Sequence, residues 1–514
     1  MTPTPVTTTV LEVERKYDVE AATALPSLDA VPGVFRIATP VVHELVATYY
    51  DTTDLRLRAA AITLRHRSGG SDAGWHLKVK LGADREELRV DGDDSAVPAQ
   101  LQMLVRSVVR SAPLVAVARL TTRRSVHALL DESGSQLAEV VDDHVEGQVL
   151  DPPGTPALRW REWEAELGAA PRALLDDVEQ VLLGVGATVS DSASKVGRVL
   201  AARPDEPGTP RWWASPSHRR STAGEVVQSH LREQVSELVL RDPLVRRDRP
   251  DAVHKMRVAT RRLRSALRTF GPLLDRAQTD PIRDELRWLS DVLGAPRDTE
   301  VMHARLRSLI AAEPPDLVLG PVLDRVDQVL GARYAHAHAA AVRELDGARY
   351  LALLDVLHEL AEDPPFSERA GGSVQDVLAP LVRRTWTRLD TTMRQAERSP
   401  AGPAQDELLH DARKLAKACR YAAEAVAPAF GRKATRFAAA MTALQEVLGE
   451  FQDGVVTRAV LRELGAASSK SGENGFTFGR LHGLEQARAD ATAAGWPQAR
   501  ARVSRPRLRR WLDD

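Results

Sequence analysis

Two periodicities divide this chain. Up to about residue 203, short runs alternate polar and apolar positions, the period of β-strands; beyond about residue 220, apolar positions recur every three or four residues, the period of helices. The alternating runs begin at Leu11-Glu12-Val13-Glu14-Arg15-Lys16-Tyr17, where Glu12, Glu14 and Lys16 share one side and Val13 and Arg15 the other. They continue at 41–51, 62–67, 75–80, 87–89, 119–130, 137–141 and 160–167, with Gly, Ser and Asp turns between them and a helical run at 171–185. Many short strands joined in this way predict an antiparallel sheet or barrel with a helix against its apolar face.

The polar positions of these strands are mostly charged, and the sign changes along the chain. Carboxylates come first (Glu12, Glu14), then Arg65 with Arg67, then His76, Lys78 and Lys80, then Arg119, Arg123 and His127, and last Glu162, Glu164 and Glu166. Taken alone, the first strand reads as the solvated face of an edge strand, because buried charges without partners cost several kcal/mol or more. Recurrence on strand after strand changes that reading: charged faces curled inward line a tunnel with an acidic and a basic sector. A polyanion carrying a divalent cation fits such a lining. Arg and Lys grip phosphate oxygens, and glutamates hold Mg2+ or Mn2+, which prefer oxygen ligands.

The stretch PDEPGTPRWWASP ends the alternating half, and residues 204–219 read as a proline-rich linker. Beyond it, helix stops at Gly271-Pro272, Gly294-Ala295-Pro296, 363–365, Gly371-Gly372 and Gly402-Pro403 predict an all-α unit of roughly ten helices. It contains a repeat. His254-x-x-Arg257-x-x-x-Arg261-x-x-Arg264 matches His410-x-x-Arg413-x-x-x-Lys417-x-x-Arg420, and LSDVLGAPRD (289–298) matches LQEVLGEFQD (444–453). Duplicated bundles, about 220–365 and 372–510, are the expected outcome. In the first copy His254, Arg257, Arg261, Arg264 and Arg268 fall within an arc of roughly 80°, opposite Met256, Ala259, Leu263, Leu267 and Phe270. Solvated faces usually mix both signs, and this arc holds no acid, so an extended polyanion is the expected partner. His336 and His338 diverge by about 200° on a helix and read as incidental.

Composition narrows the choice. At 514 residues the chain exceeds one core. Its single cysteine, Cys419, excludes an internal disulfide and a cysteine-ligated metal. No run of 18 apolar residues occurs, so no membrane span is expected. MTPTPVTTTVLEVERKY has no basic region followed by an apolar core, so the expectation is a cytoplasmic protein without a signal peptide. A formal net charge of -1, 4% aromatic content and no aromatic on the basic stripe disfavour nucleic acid.

Glu12-Val13-Glu14-Arg15-Lys16 resembles the ExExK signature of the CYTH family, the triphosphate tunnel metalloenzymes. Asp51 after Tyr49-Tyr50, Arg65-x-Arg67, Lys78-x-Lys80, the basic run 119–123, Glu162-x-Glu164-x-Glu166 and Ser194-Lys195 follow in the family's order. The resemblance covers 8–203. It implies an eight-stranded antiparallel tunnel that hydrolyses or cyclises triphosphates with Mg2+ or Mn2+. Glu12, Glu14, Glu164 and Glu166 would hold the metal. Lys16, Arg65, Arg67, Lys78, Lys80, Arg119, Arg123 and Lys195 would bind phosphate. Glu12, Glu14, Lys16 and Glu164 form the catalytic set. Strand register decides between Arg123 and Arg124, and Asp143, Glu139 or no protein base at all positions the water.

The basic helices resemble the CHAD domain over about 220–510, which implies polyphosphate as ligand for His254, Arg257, Arg261, Arg264, His410, Arg413, Lys417 and Arg420. Asp411 and Glu424 near the second stripe would make that half the weaker. The expected function is an inorganic triphosphatase or short-chain polyphosphatase with a polyphosphate-binding helical domain and an association with polyphosphate-containing granules. Two rivals stand beside it: a non-enzymatic polyphosphate-binding protein, and a nucleotide-directed tunnel enzyme such as an adenylate cyclase or a thiamine-triphosphatase-like hydrolase.

Overall fold

The computed structural model describes residues 8–203 and 222–513 apart from 71, 82–83, 152, 193 and 401; the side chains of 8–12, 80–81, 84–85, 451–452, 489–490 and 492–494 also lie outside the description. Contacts divide the chain into two units, Met1–Arg211 and Trp212–Asp514. The linker expected at 204–219 lies outside the described residues.

The first unit is a sheet of β1 (Thr8–Glu12), β2 (Glu14–Asp18), β3 (Arg36–Ile37), β4 (Val41–Asp51), β5 (Thr63–Ser68), β6 (Gly74–Leu81) and β7 (Asp84–Val90), then β8 (Val115–Leu130), β9 (Gln136–Val149), β10 (Leu158–Leu167) and β11 (Thr188–Val189). Its order is β1-β7-β6-β5-β4-β8-β9-β10-β2-β11. Only Val13 separates β1 from β2, yet β1 pairs with β7 and β2 with β10. One continuous strand thus joins both ends of the path, and the sheet closes into an antiparallel barrel. With β1 and β2 taken as one strand and the two-residue β3 and β11 set aside, the eight expected strands are present. The run expected at 137–141 extends further: Asp142-Asp143 lies inside β9, where Asp143 stands opposite Arg124 in register. A paired charge can be buried, so the strand need not end there.

Among the described residues, four helices accompany the barrel: α1 (Arg56–Ala59), α2 (Ala99–Val109), α3 (Ala173–Gly184) and α4 (Lys195–Leu200). The outer face of β2 and β10 buries Tyr17 and Trp163 against Leu174, Val178 and Leu182 of α3. Helix α4 packs Val196, Val199 and Leu200 against Leu120, Val145 and Val149. Gly147 makes room for it: a Cβ there would stand 2.2 Å from Val199 Cγ2. Sequence at the start of α4 therefore delivers Lys195 to the barrel interior.

The second unit holds α5 (Ala223–Arg246), α6 (Ala252–Thr269), α7 (Arg276–Val292), α8 (Gly294–Ala311), α9 (Val322–Leu345), α10 (Ala348–Glu362), α11 (Val374–Arg398), α12 (Pro403–Phe430), α13 (Arg432–Lys470) and α14 (Phe476–Val503). Thr222 and Glu225 start α5 with a capping box. The apolar face of α6 is buried as its spacing predicts: Met256, Leu263 and Phe270 are fully covered. Gly294-Ala295-Pro296 is a weaker stop than expected, since only Leu293 lies between α7 and α8. Proline is tolerated in a first helical turn, whose N–H groups have no intrahelical acceptor. The matching Gly449 lies inside the 39-residue α13. Among the described residues, no helix is long and apolar enough to cross a membrane.

Candidate functional site

A cavity of about 310 Å3 occupies the barrel, walled by Glu14, Glu139, Glu164 and Glu166 on the acidic side and by Lys16, Arg65, Arg67, Lys78, Arg89, Arg124 and Lys195 as its cations. Glu164, 2% exposed, is its electrostatic centre. Lys16 Nζ bonds its Oε1, Lys195 Nζ stands 2.8 Å from the same oxygen, and Arg124 Nη2 donates to Oε2 at 2.8 Å. Lys16 also donates to Glu14 at 3.0 Å. Lys195 is shared with Asp143 at 3.0 Å and Glu162 at 2.7 Å, and Arg124 grips both oxygens of Asp143 at 2.9 and 2.7 Å. Burial alone would push the Glu164 carboxyl up, but Lys16, Lys195 and Arg124 hold it well below the usual range. Glu166 has less compensation; burial and the adjacent Glu164 raise it to about 7.

The basic wall is organised by one fully buried carboxylate. Glu87 bonds His76 Nδ1 at 2.9 Å and Arg89 at 2.6 and 2.8 Å, with Arg65 at 3.4 Å and Lys78 at 3.6 Å. Arg67 pairs with Asp72 at 2.6 Å. Burial lowers the His76 pKa despite Glu87, and its two ring nitrogens face Glu87 and the Asp72 backbone carbonyl. Asp51 serves the fold: its oxygens accept from the backbone N–H of Thr52, Leu57 and Arg58 and thereby hold the start of α1.

Of the tunnel residues expected from sequence, Glu14, Lys16, Arg65, Arg67, Lys78, Glu164, Glu166 and Lys195 meet in this cavity. The side chains of Glu12 and Lys80 lie outside the described residues. Arg119 and Arg123 are corrections. Both are exposed, and Arg123 lies 3.6 Å from the exposed Glu44 instead of facing the cavity. The even positions of β8 (Leu120, Thr122, Arg124 and Val126) point inward, so Arg124 takes the place assigned to Arg123. Asp143, one candidate for positioning water, is tied to Arg124 and Lys195. Sequence reasoning missed Glu87 as an organiser; the available signal was an acid sharing a strand face with Arg89, and its register places it opposite Lys78.

The donor set suits a hard divalent cation. Oxygens of Glu14, Glu164 and Glu166 come within 4.8 Å of one another, as do those of Asp143, Glu162 and Glu164. Glu14, Asp143, Glu162 and Glu164 already gather around the ammonium groups of Lys16 and Lys195, which shows that they accommodate positive charge.

In the helical unit the two repeats bring their stripes together. One cavity of about 620 Å3 is lined by His254, Arg257, Arg261, His410, Arg413, Lys417 and Arg420, joined by Arg297 and Arg305 of α8. A second, of about 680 Å3, takes Arg264 with Arg268, Arg283, Arg287, Arg388 and Lys414. Arg261, Lys417 and Tyr421 wall both. Arg264 thus keeps Arg261 and Lys417 as neighbours but parts from the five other predicted residues. Arg261, Arg264 and Arg268 all have lowered pKa values, through burial and then neighbouring arginines. Burial together with Arg261 and Arg413 brings Lys417 down to about 7. The two acids near the second stripe are engaged: Asp411 with Lys414 at 3.0 Å and Glu424 with Arg262 at 2.9 Å.

A tunnel lined by opposed acids and cations, on a chain that also carries a basic helical unit, defines a phosphate-handling protein of the tunnel fold. The family models agree. A CYTH domain matches over residues 11–198 and a CHAD domain over 229–462. An uncharacterized protein of Mycobacterium tuberculosis is 36% identical over 498 residues, 92% of this chain and 93% of its own length. Among solved structures, PptA from Streptomyces chartreusis is 22% identical, with 54% of this chain and 99% of that chain covered and a TM-score of 0.46. The CHAD domain from the plant Ricinus communis is 24% identical, with 56% and 94% covered and a TM-score of 0.44. The chain belongs to the proteins that carry a metal-dependent CYTH domain followed by a CHAD domain.

Proposed function

We propose that the tunnel hydrolyses inorganic triphosphate or short polyphosphate with Mg2+ or Mn2+, and that the helical unit binds long polyphosphate, recruiting the protein to polyphosphate-containing granules in the cytoplasm. The observation that carries this reading is that Glu14, Glu164 and Glu166 share one cavity with Arg65, Arg67 and Lys78, while Arg124 and Lys195 stand among the acids themselves. The cations bind non-bridging oxygens and hold the chain of phosphates in line. Lys16 and Lys195, now spent on carboxylates, turn to phosphate as the substrate enters. Glu14, Glu164 and Glu166, with Glu12, would hold a divalent cation, which would supply charge neutralisation at the transferred phosphoryl group.

One observation favours a second reading, a substrate with an organic group. A pocket of about 330 Å3, lined by Tyr50, Ile62, Leu64, Val117 and Leu200, shares Tyr49, Thr63, Lys78, Ser194 and Val196 with the phosphate cavity. Incubating the pure protein with tripolyphosphate, ATP and thiamine triphosphate, with and without metal, and quantifying each product separates the two. Release of orthophosphate from tripolyphosphate well above the others supports the first reading. Preferential turnover of either organic triphosphate replaces it with the second, and no turnover leaves a receptor.

A further inference from the structure

In the second repeated motif, LSDVLGAPRD and LQEVLGEFQD, the leucines are buried in the core, but the glycine and the aspartate are explained by neither the fold nor the basic stripes. In both copies its glycine and its aspartate meet the same residue of the preceding motif. A Cβ added at Gly294 would stand 3.4 Å from Arg257 Nη2; one at Gly449 would stand 3.1 Å from Arg413 Nη2 and 3.4 Å from Nε. Arg257 Nη1 donates to Asp298 at 2.7 Å, and Arg413 Nη2 lies 3.5 Å from Asp453. Both arginines face the shared cavity beside Arg261 and Lys417.

We propose that Gly294 and Gly449 are positioning residues for polyphosphate binding: each leaves a bare patch of helix on which the guanidinium of Arg257 or Arg413 lies flat, with the aspartate four residues on as its anchor. The inference rests on the reading that this cavity binds polyphosphate. Three points carry it. Glycine is costly in a helix interior relative to alanine, and Gly449 sits in the middle of a 39-residue helix. The three atoms nearest a Cβ at either glycine all belong to the arginine, in ordinary contact at Gly294 and tightly at Gly449, so the guanidinium and not a neighbouring helix backbone is what a side chain would meet. The arrangement recurs in two copies whose intervening residues differ. Arginine carries large rotamer entropy, and a guanidinium already held in place loses less of it when it takes a phosphate oxygen.

The test uses the full chain, long-chain inorganic polyphosphate and EDTA, with affinity by titration and stability by thermal melt, in a cycle of Gly449→Ala, Arg413→Gln and the double variant. Gly449→Ala is expected to bind about tenfold more weakly, the scale of one degraded charge-assisted contact. Its Tm should stay level or rise, as alanine in a helix predicts. In the Arg413→Gln background the alanine should cost nothing more, since the glycine acts through that side chain. Wild-type affinity in Gly449→Ala, or an equal loss with and without Arg413, overturns the inference while leaving polyphosphate binding intact. Failure of the wild-type chain to bind polyphosphate overturns both. If Gly449→Ala does not melt cooperatively, Gly294→Ala with Arg257→Gln completes the same cycle, with a smaller loss of about threefold because its contact is looser.

Discussion

The tunnel and the helical cavities are both rich in arginine and lysine, but they handle that charge in opposite ways. In the tunnel, carboxylates answer the cations: Lys16, Arg124 and Lys195 converge on Glu164, and the acids outweigh burial to raise the pKa of all three. In the helical unit, Arg261, Arg264, Arg268 and Lys417 are pushed down by burial and by neighbouring arginines. A compensated site is stable empty and must exchange partners to work, which suits a reaction needing both metal and phosphate. A partly compensated one, where Arg257 and Arg413 keep Asp298 and Asp453 but Arg261 and Lys417 are pushed down, retains repulsion that an incoming anion relieves, which suits binding.

The largest effect expected on that contrast is Glu14→Gln, which keeps the shape and removes a ligand charge. Metal-dependent hydrolysis of tripolyphosphate should fall by about a hundredfold or more, with polyphosphate affinity unchanged. On the other side, replacing Arg257, Arg261 and Arg264 together with glutamine should weaken long-chain polyphosphate binding by about a hundredfold and flatten its salt dependence, by analogy with counterion release from nucleic acids. That triple variant should also melt higher than wild type, because repulsion has been removed.

Stability should move the other way in the tunnel. Arg124→Gln leaves Asp143 and Glu164 buried with fewer partners and should cost about 3 kcal/mol in chemical unfolding. A wild-type melt for Arg124→Gln would erase the distinction between the two regions.

A smaller effect is the pH dependence of Lys417, whose folded value of about 7 lies below the ordinary value of 10.5. Between the two, the unfolded chain holds the proton and the folded chain does not, so this group's contribution to stability is lost as pH falls toward 7. Polyphosphate favours the charged amine, so binding should take up protons near pH 8 and tighten by about threefold to tenfold from pH 8.5 to 6.5. Heats of binding in two buffers of different ionisation enthalpy measure the uptake, and Lys417→Met should abolish most of it. His254 and His410, both lowered by burial and nearby cations, would add a share at the acid end. The smallest effect expected is Arg123→Gln, which should alter tripolyphosphate hydrolysis by less than about twofold because that side chain faces solvent.

Much of this was legible in the chain itself. The change of period near residue 203, the duplication of His-x-x-Arg helices and the shared faces of Glu14 with Lys16 or of Arg65 with Arg67 are local facts, since side-chain direction follows from spacing within one element. Met256, Leu263 and Phe270 are buried as their helical spacing predicts. What spacing could not supply was the partner. A one-residue choice of register on β8 put Arg124 into the tunnel and Arg123 outside it. Glu87 gathers Arg65, His76, Lys78 and Arg89 only because β5, β6 and β7 lie side by side. Arg264 parts from Arg257 because α7 and α11 bring Arg283, Arg287 and Arg388 to one end of α6 while α8 brings Arg297 and Arg305 to the other. Sequence determines which side chains share a face of one element. Only the tertiary structure decides which charge stands opposite, because that depends on residues far along the chain, and at a few ångströms in a poorly solvated interior the opposing charge governs whether a cation is held or left waiting.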